Sequence, residues 1–256
     1  MIESLLLAVT RVTTHSADRL PTNATGFFFE RDQRLFVITN RHVVIDEASG
    51  HRPERIELEL HVDPGNVAEV VAFSVPLHVD GTPVWIEAVD AGGTIDVIAI
   101  ELDRGALPDT WSMFAFAPEH LLADLDAVEI GTAVRIVGFP LGFHDTVHRL
   151  PVARQAVVAS AFGIRFQGGG YFLTDARMHR GTSGAPVVAR LDTALSSRGD
   201  LRAWTLLGIH ASRFDMDSRD EAQDERLSLN CAWYADVLLT LTASREPAAS
   251  IAVAAA

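Results

Sequence analysis

The sequence contains no lysine; all 21 of its basic side chains are arginine. That absence removes a phosphate-cradling lysine, an imine-forming lysine and a serine–lysine dyad. Cysteine occurs once, as Cys231, which excludes an intramolecular disulfide and any zinc site built from several cysteines. Positive charge is in deficit. The formal net charge of -13 argues against a nucleic-acid partner, which needs a basic face. Aromatic residues are only 7%, so the core rests on Val, Ile, Leu and Ala. No apolar run approaches the length of a membrane span, so no membrane association is expected. The opening MIESLLLAVTRV is apolar but short, carries Glu3 and lacks a basic leader. It reads as a first strand and not as a signal peptide. With the missing disulfides, a reducing, cytoplasmic compartment is the expectation.

What the sequence does have is many short β-type runs in 256 residues. They are residues 5–12, 25–30, 35–40, 55–62, 70–77, 83–89 and 95–102, then 133–140, 152–162, 171–176, 185–191 and 203–212. Gly, Pro, Asn or Asp separates most of them. Alternation is clearest in RIELELHV, where Ile56, Leu58 and Leu60 share one face. Many short strands at this spacing predict an all-β sandwich or barrel. Residues 103–130 break the pattern with Pro108, Asp109 and Pro118, and HLLADLDA fits a short helix; this stretch reads as a connection between two halves. Residues 213–226 are rich in Asp and Glu and read as a solvated loop. The spacing of Trp233, Val237, Leu238 and Leu241 predicts a helix over 229–241, with Asn230 as its cap.

The run MHRGTSGAPVV (178–188) carries the chemical interest. Gly181 and Gly184 flank Ser183 and let the backbone take up dihedrals barred to other residues. The amides of Gly181 and Ser183 are then free to converge as an oxyanion hole. A glycine–serine hairpin loop would read the same from these residues alone. A serine nucleophile needs an imidazole to take its proton, and the imidazole needs an acceptor to fix its tautomer. His42, in ITNRHVV, stands at a strand-to-helix corner. Asp96 opens the apolar strand of GGTIDVIAIEL and is costly to bury without a partner. Asp90 is a nearby rival, but the apolar run after Asp96 makes Asp96 the stronger candidate.

In the order His42…Asp96…Ser183, with strand context at each, the chain resembles the trypsin-like serine peptidases of the chymotrypsin fold. TGFFF with ITNRHVV looks like that superfamily's segment around the base, and IDVIAIEL like its aspartate strand. TDARMHRGTSGAPVV, GFPLG and LLGIHAS are similar to the high-temperature-requirement and glutamyl endopeptidase branch. The resemblance implies two six-stranded antiparallel β-barrels with a C-terminal helix. It places an N-terminal barrel over residues 1–105 with His42 and Asp96, and a connection over 106–130. A C-terminal barrel and helix over 131–242 carry Ser183, and a flexible tail spans 243–256. No further domain is expected. It also implies a serine endopeptidase needing no cofactor and no metal, acting on a protein or peptide substrate.

Two departures stand out. Thr182 replaces the aspartate that receives a new N-terminus in pancreatic-type enzymes, so that activation switch is not implied. Ala185 replaces a glycine. The resemblance also places Met178 and His210 at the pocket for the residue before the cut, with Arg177 or Arg180 as assistants. A histidine there donates to a carboxylate or amide oxygen, which favours Glu or Gln; an apolar pocket is the alternative. His144, Asp145 and His148 sit at a spacing that suggests a metal, but Pro140 and Gly142 favour a surface loop. A protease inside a cell needs restraint, which leaves room for a regulatory protein partner. It also leaves a second class of function: a latent protease-fold binding or sensor module that a partner activates.

Overall fold

The computed structural model of the chain describes residues 2–191, 200–211 and 228–244. The acidic run 213–226 and the tail beyond residue 244 lie outside the described residues. The remainder is mostly β, in two halves that share a central apolar interface.

The first half is one antiparallel sheet of seven strands. Across the sheet they run Val70–Pro76, Arg55–His61, Val9–His15, Thr22–Arg31, Arg34–Thr39, Ile98–Leu102 and Trp85–Ile86. Ile56, Leu58 and Leu60 turn inward together, as their alternation requires. This sheet is not the closed six-stranded barrel that the resemblance implied. The segment that would complete it, residues 78–94, is cut by Gly81, Pro83, Gly92 and Gly93 into pieces two residues long. Such pieces are too short to bond across from Val70–Pro76 to Trp85–Ile86, and the sheet stays curved but open.

The second half does close. Ala133–Gly138, Val152–Val158, Tyr171–Asp175, Leu229–Tyr234, Thr205–Ala211 and Pro186–Ala189 form a barrel in that order and return to Ala133–Gly138. Two expectations are corrected here and at the N-terminus. Residues 229–234 are a strand and not the first half of a helix, because closure requires a member bonded to both neighbours. Leu173 pairs with Cys231 on one side and Ala211 with Cys231 on the other. Only Val237–Leu241 is helical. Residues Ser4–Leu7, expected as strand, form one helical turn that drops Leu5 into the interface between the halves; the strand starts at Val9.

Three apolar clusters account for most of the burial. One fills the first half around Val12, Val37, Ile56 and Ile100. One fills the closed barrel around Val134, Ile136, Phe172 and Val187. The third lies between the halves and joins Phe27, Phe29, Phe36, Phe116, Phe139, Ile209, Leu238 and Leu241. Phe116, from the connecting segment, is clamped there by backbone bonds in both directions, its N–H donating to Phe28 O at 2.9 Å and its carbonyl accepting from Glu30 N at 2.7 Å. Burying a large apolar side chain contributes roughly 1.5–3 kcal/mol, so this interface holds the halves in fixed relation.

Candidate active site

Sheet register brings the first two candidate residues together. Thr39 ends one strand and pairs with Ile98, which begins its antiparallel neighbour. Residues just after 39 and just before 98 therefore emerge at the same end of the sheet. Asn40 is extended and starts the turn Arg41–Val44, which presents His42 in its first winding. The Asn40 side-chain amide donates to the Asp96 carbonyl at 2.6 Å and ties the two emerging segments together. Asp96 accepts from the His42 backbone N–H through Oδ1 at 2.9 Å, and its Oδ2 lies 2.7 Å from His42 Nδ1. An ionised carboxylate only accepts, so this contact keeps the imidazole proton on Nδ1. Nε2 is left as an acceptor, 3.0 Å from Ser183 Oγ. Asp90 does not compete. It pairs with Arg165 at 2.5 Å and accepts from Gly92 N at 2.7 Å, and these bonds hold its carboxyl below the usual range against the opposing pull of burial.

Ser183 comes from the opposite half, on the turn before Pro186–Ala189. Gly181 and Gly184 there have φ of +94° and +86°, the left-handed region that glycine enters without penalty. Space demands glycine as well. A Cβ on Gly184 would lie 2.2 Å from Thr25 O, and one on Gly181 would lie 2.5 Å from Phe139 O. Four successive carbonyls of the turn are occupied. Arg180 O accepts from Leu141 N (2.6 Å), Gly181 O from Thr25 Oγ1 (2.7 Å), Thr182 O from Ala185 N (3.0 Å) and Ser183 O from Thr25 N (2.9 Å). In a trans peptide the N–H points opposite to the C=O. The Gly181 N–H therefore faces away from Leu141, and the Ser183 N–H away from Ala185.

His210 lies in the strand beside this turn. Its backbone carbonyl accepts from Gly184 N at 2.9 Å and its N–H donates to Ala185 O at 2.8 Å. The side chain is fully buried, and neither ring nitrogen has a hydrogen-bond partner among the described residues. Burial, and to a lesser degree the neighbouring His42, pushes its pKa down to about 3. Met178 is half-buried and packs on the core of the closed barrel, while Arg177 and Arg180 are exposed. The Cys231 thiol is pushed up to about 12 by burial and then by the charge on Asp96, which makes it a poor nucleophile. In the loop after Gly142, Asp145 pairs with His148 at 2.7 Å and His144 Nδ1 contacts the Gly142 carbonyl.

The buried His210 carries a stability prediction. An unfolded histidine titrates near pH 6.5, whereas here the folded group stays neutral down to about 3. Between those values the unfolded chain holds a proton that the folded chain refuses. Stability therefore falls as pH falls through that window, at up to roughly 1.4 kcal/mol per pH unit, and is insensitive to this group above it. Urea unfolding of wild type and His210→Gln between pH 6.5 and 5.0 checks this. The slope of stability against pH should be smaller in the variant by about one proton.

Residues outside the sequence reading also shape the site, chiefly Thr25 and Asn40. Thr25 reads only as the start of a β-run. Its hydroxyl contacts lie far along the chain, so local pattern carries no sign of them.

The chain is similar to known proteins in both sequence family and fold. The family model described as the trypsin-like peptidase domain matches residues 24–194, a stretch that contains His42, Asp96 and Ser183. No curated protein sequence matches the chain. Among solved structures, the chain is similar to a serine endoprotease from Yersinia pestis at 15% identity and a TM-score of 0.52. That match covers 93% of this chain and 62% of the Yersinia chain, so the present sequence spans less than two thirds of that protein. It is similar to an inactivated protease paralogue of the scabies mite, at 17% identity and a TM-score of 0.55 over 93% of this chain and 92% of that one. It is also similar to human heparin binding protein, at 12% identity and 0.52, over 97% of both chains. At such identities the likeness establishes the fold alone. The family is established by the model that spans 171 of the 256 residues (24–194): the chain belongs to the trypsin-like peptidase domain family of serine proteases.

Proposed function

We propose that this chain is a serine endopeptidase working through an acyl-enzyme, with Ser183 as nucleophile, His42 as base and Asp96 as its orienting acid. The observation that carries the reading is the 3.0 Å approach of His42 Nε2 to Ser183 Oγ, with Nδ1 already held by Asp96. Fold alone would not suffice, since an inactivated protease paralogue of the scabies mite shares this architecture. As Oγ bonds to the substrate carbonyl carbon, its proton passes to Nε2. The carbonyl oxygen becomes an oxyanion that accepts hydrogen bonds donated by the N–H groups of Gly181 and Ser183. Collapse breaks the C–N bond and the imidazolium returns the proton to the leaving amine. Water then repeats the cycle and frees the acid.

His210 supports a finer reading, a preference for Glu or Gln before the cut. Its two unpartnered nitrogens lie buried beside the nucleophile turn, where a substrate amide or carboxylate oxygen would satisfy an N–H that is otherwise costly to bury. The GFPLG and LLGIHAS segments support placing the chain near the high-temperature-requirement and glutamyl endopeptidase branch.

One experiment tests both levels. A fluorophosphonate probe should modify a single residue, located at Ser183 by peptide mass spectrometry. Protein that takes no label under any condition would overturn the peptidase reading in favour of a non-catalytic module. Cleavage of a peptide library by the competent protein should then show Glu or Gln before the cut. A Leu or Ala preference removes the role given to His210 and leaves the peptidase reading standing.

A further inference from the structure

We infer that Thr25 is a positioning residue that holds the oxyanion donors in place from the opposite half of the molecule. The inference rests on the peptidase reading above. Thr25 sits on the Thr22–Arg31 strand of the first half and is fully buried. A hydroxyl has one donor and two acceptor positions. The Thr25 hydroxyl donates to Gly181 O at 2.7 Å and accepts from Phe139 N at 3.1 Å. Its backbone N–H donates to Ser183 O at 2.9 Å. Its carbonyl accepts from the Thr39 hydroxyl at 2.8 Å. Three of these four bonds cross between the halves, and two end on the carbonyls of Gly181 and Ser183, in the peptide planes adjoining those of the two proposed donor amides.

The polarity of this arrangement explains why a hydroxyl is needed. Gly181 stands at φ +94°, where a glycine backbone meets little steric resistance to rotation. Hydrogen bonds, and not sterics, therefore set the direction of its peptide planes. The preceding plane is held through Arg180 O by Leu141 N. The following plane is held through Gly181 O by the Thr25 hydroxyl alone among the bonds described. Loss of that hydroxyl leaves the Gly181 carbonyl and the Phe139 N–H buried without these partners, which is unfavourable. The Gly181–Thr182 plane, which lies between the planes carrying the Gly181 and Ser183 N–H groups, is then driven to turn toward another donor, and the two N–H groups lose their shared direction. Gly138 is part of the same device, since a Cβ there would fall 2.6 Å from Thr25 Oγ1.

The test uses the whole chain with a fluorophosphonate, whose phosphoryl oxygen occupies the oxyanion position. Thr25→Val keeps the shape and removes the hydroxyl. Its maximal inactivation rate is expected to fall roughly 10- to 100-fold, the range for misplacing rather than deleting a donor, with reversible affinity for the probe unchanged. Thr25→Ser restores the hydroxyl and the rate. The midpoint of the rate against pH should stay at the wild-type value in both variants. A general loosening of the site would move that midpoint and would not be rescued by serine. Should the valine variant not fold, Thr25→Cys, with a weaker donor of similar size, is expected to fall between wild type and complete loss. A valine or, in its place, cysteine variant as fast as wild type overturns the inference, as does a shifted midpoint or a serine variant as slow as valine. Wild type that labels in those cases leaves the peptidase reading intact; wild type that takes no label overturns both.

Discussion

Ser183→Ala and His42→Ala should each lower kcat for peptide hydrolysis by a factor on the order of 10⁶, and the double variant should fall no further. The reason is that the two side chains form one device. Ser183 Oγ without an acceptor at Nε2 is a hydroxyl at its ordinary acidity, and Nε2 without Oγ has no proton to take. Removing either therefore removes the same pathway. What remains is binding and the amides of the turn, worth roughly 10³–10⁴ over water. Single-turnover and steady-state hydrolysis of a cleavable peptide by the three variants checks this. Multiplying losses in the double variant would mean that the two groups act independently, contrary to their 3.0 Å contact. Neither side chain belongs to the apolar clusters that hold the fold, so the variants should keep the wild-type unfolding midpoint in urea.

Asp96→Asn should keep the fold and lower kcat by a factor on the order of 10⁴. The amide oxygen can still accept from the His42 backbone N–H, now made by Oδ1 at 2.9 Å. The amide nitrogen, however, replaces an acceptor by a donor opposite Nδ1. The imidazole proton then moves to Nε2, and the nitrogen facing Ser183 becomes a donor instead of a base. The effect is on tautomer and not on position. KM should therefore change little while kcat collapses, and fluorophosphonate labelling should slow in parallel. An Asp96→Asn variant with near wild-type kcat would show that the 2.7 Å contact does not govern the proton on His42.

The two halves differ in how legible they were. The inward face of Arg55–His61 follows from period-2 alternation, a local property that survives into the folded sheet. The strand Leu229–Tyr234 was hidden, because Trp233 also sits at helical spacing with Val237, Leu238 and Leu241. Its identity was decided by two distant partners, Tyr171–Asp175 and Thr205–Ala211, which need a strand between them to close the barrel. Closure of the first half was likewise not written in its strands. It failed at segments where glycine and proline interrupt pairing, and only the arrangement of the two sheet edges exposes that failure.

Local chemistry in the chain determined which side chains were candidates: a serine between glycines that permit left-handed backbone, a histidine at a strand end, and an acid opening an apolar run. Those are short-range properties, and they exist before the chain folds. Which acid meets the histidine, where the peptide planes of the nucleophile turn point, and that a threonine on the far half holds them were decided only by tertiary structure. The contacts concerned join residues 54, 141 and 156 positions apart. Hydrogen bonds reach about 3 Å, so no pattern along the sequence encodes them until sheet register and the apolar interface bring the two halves together.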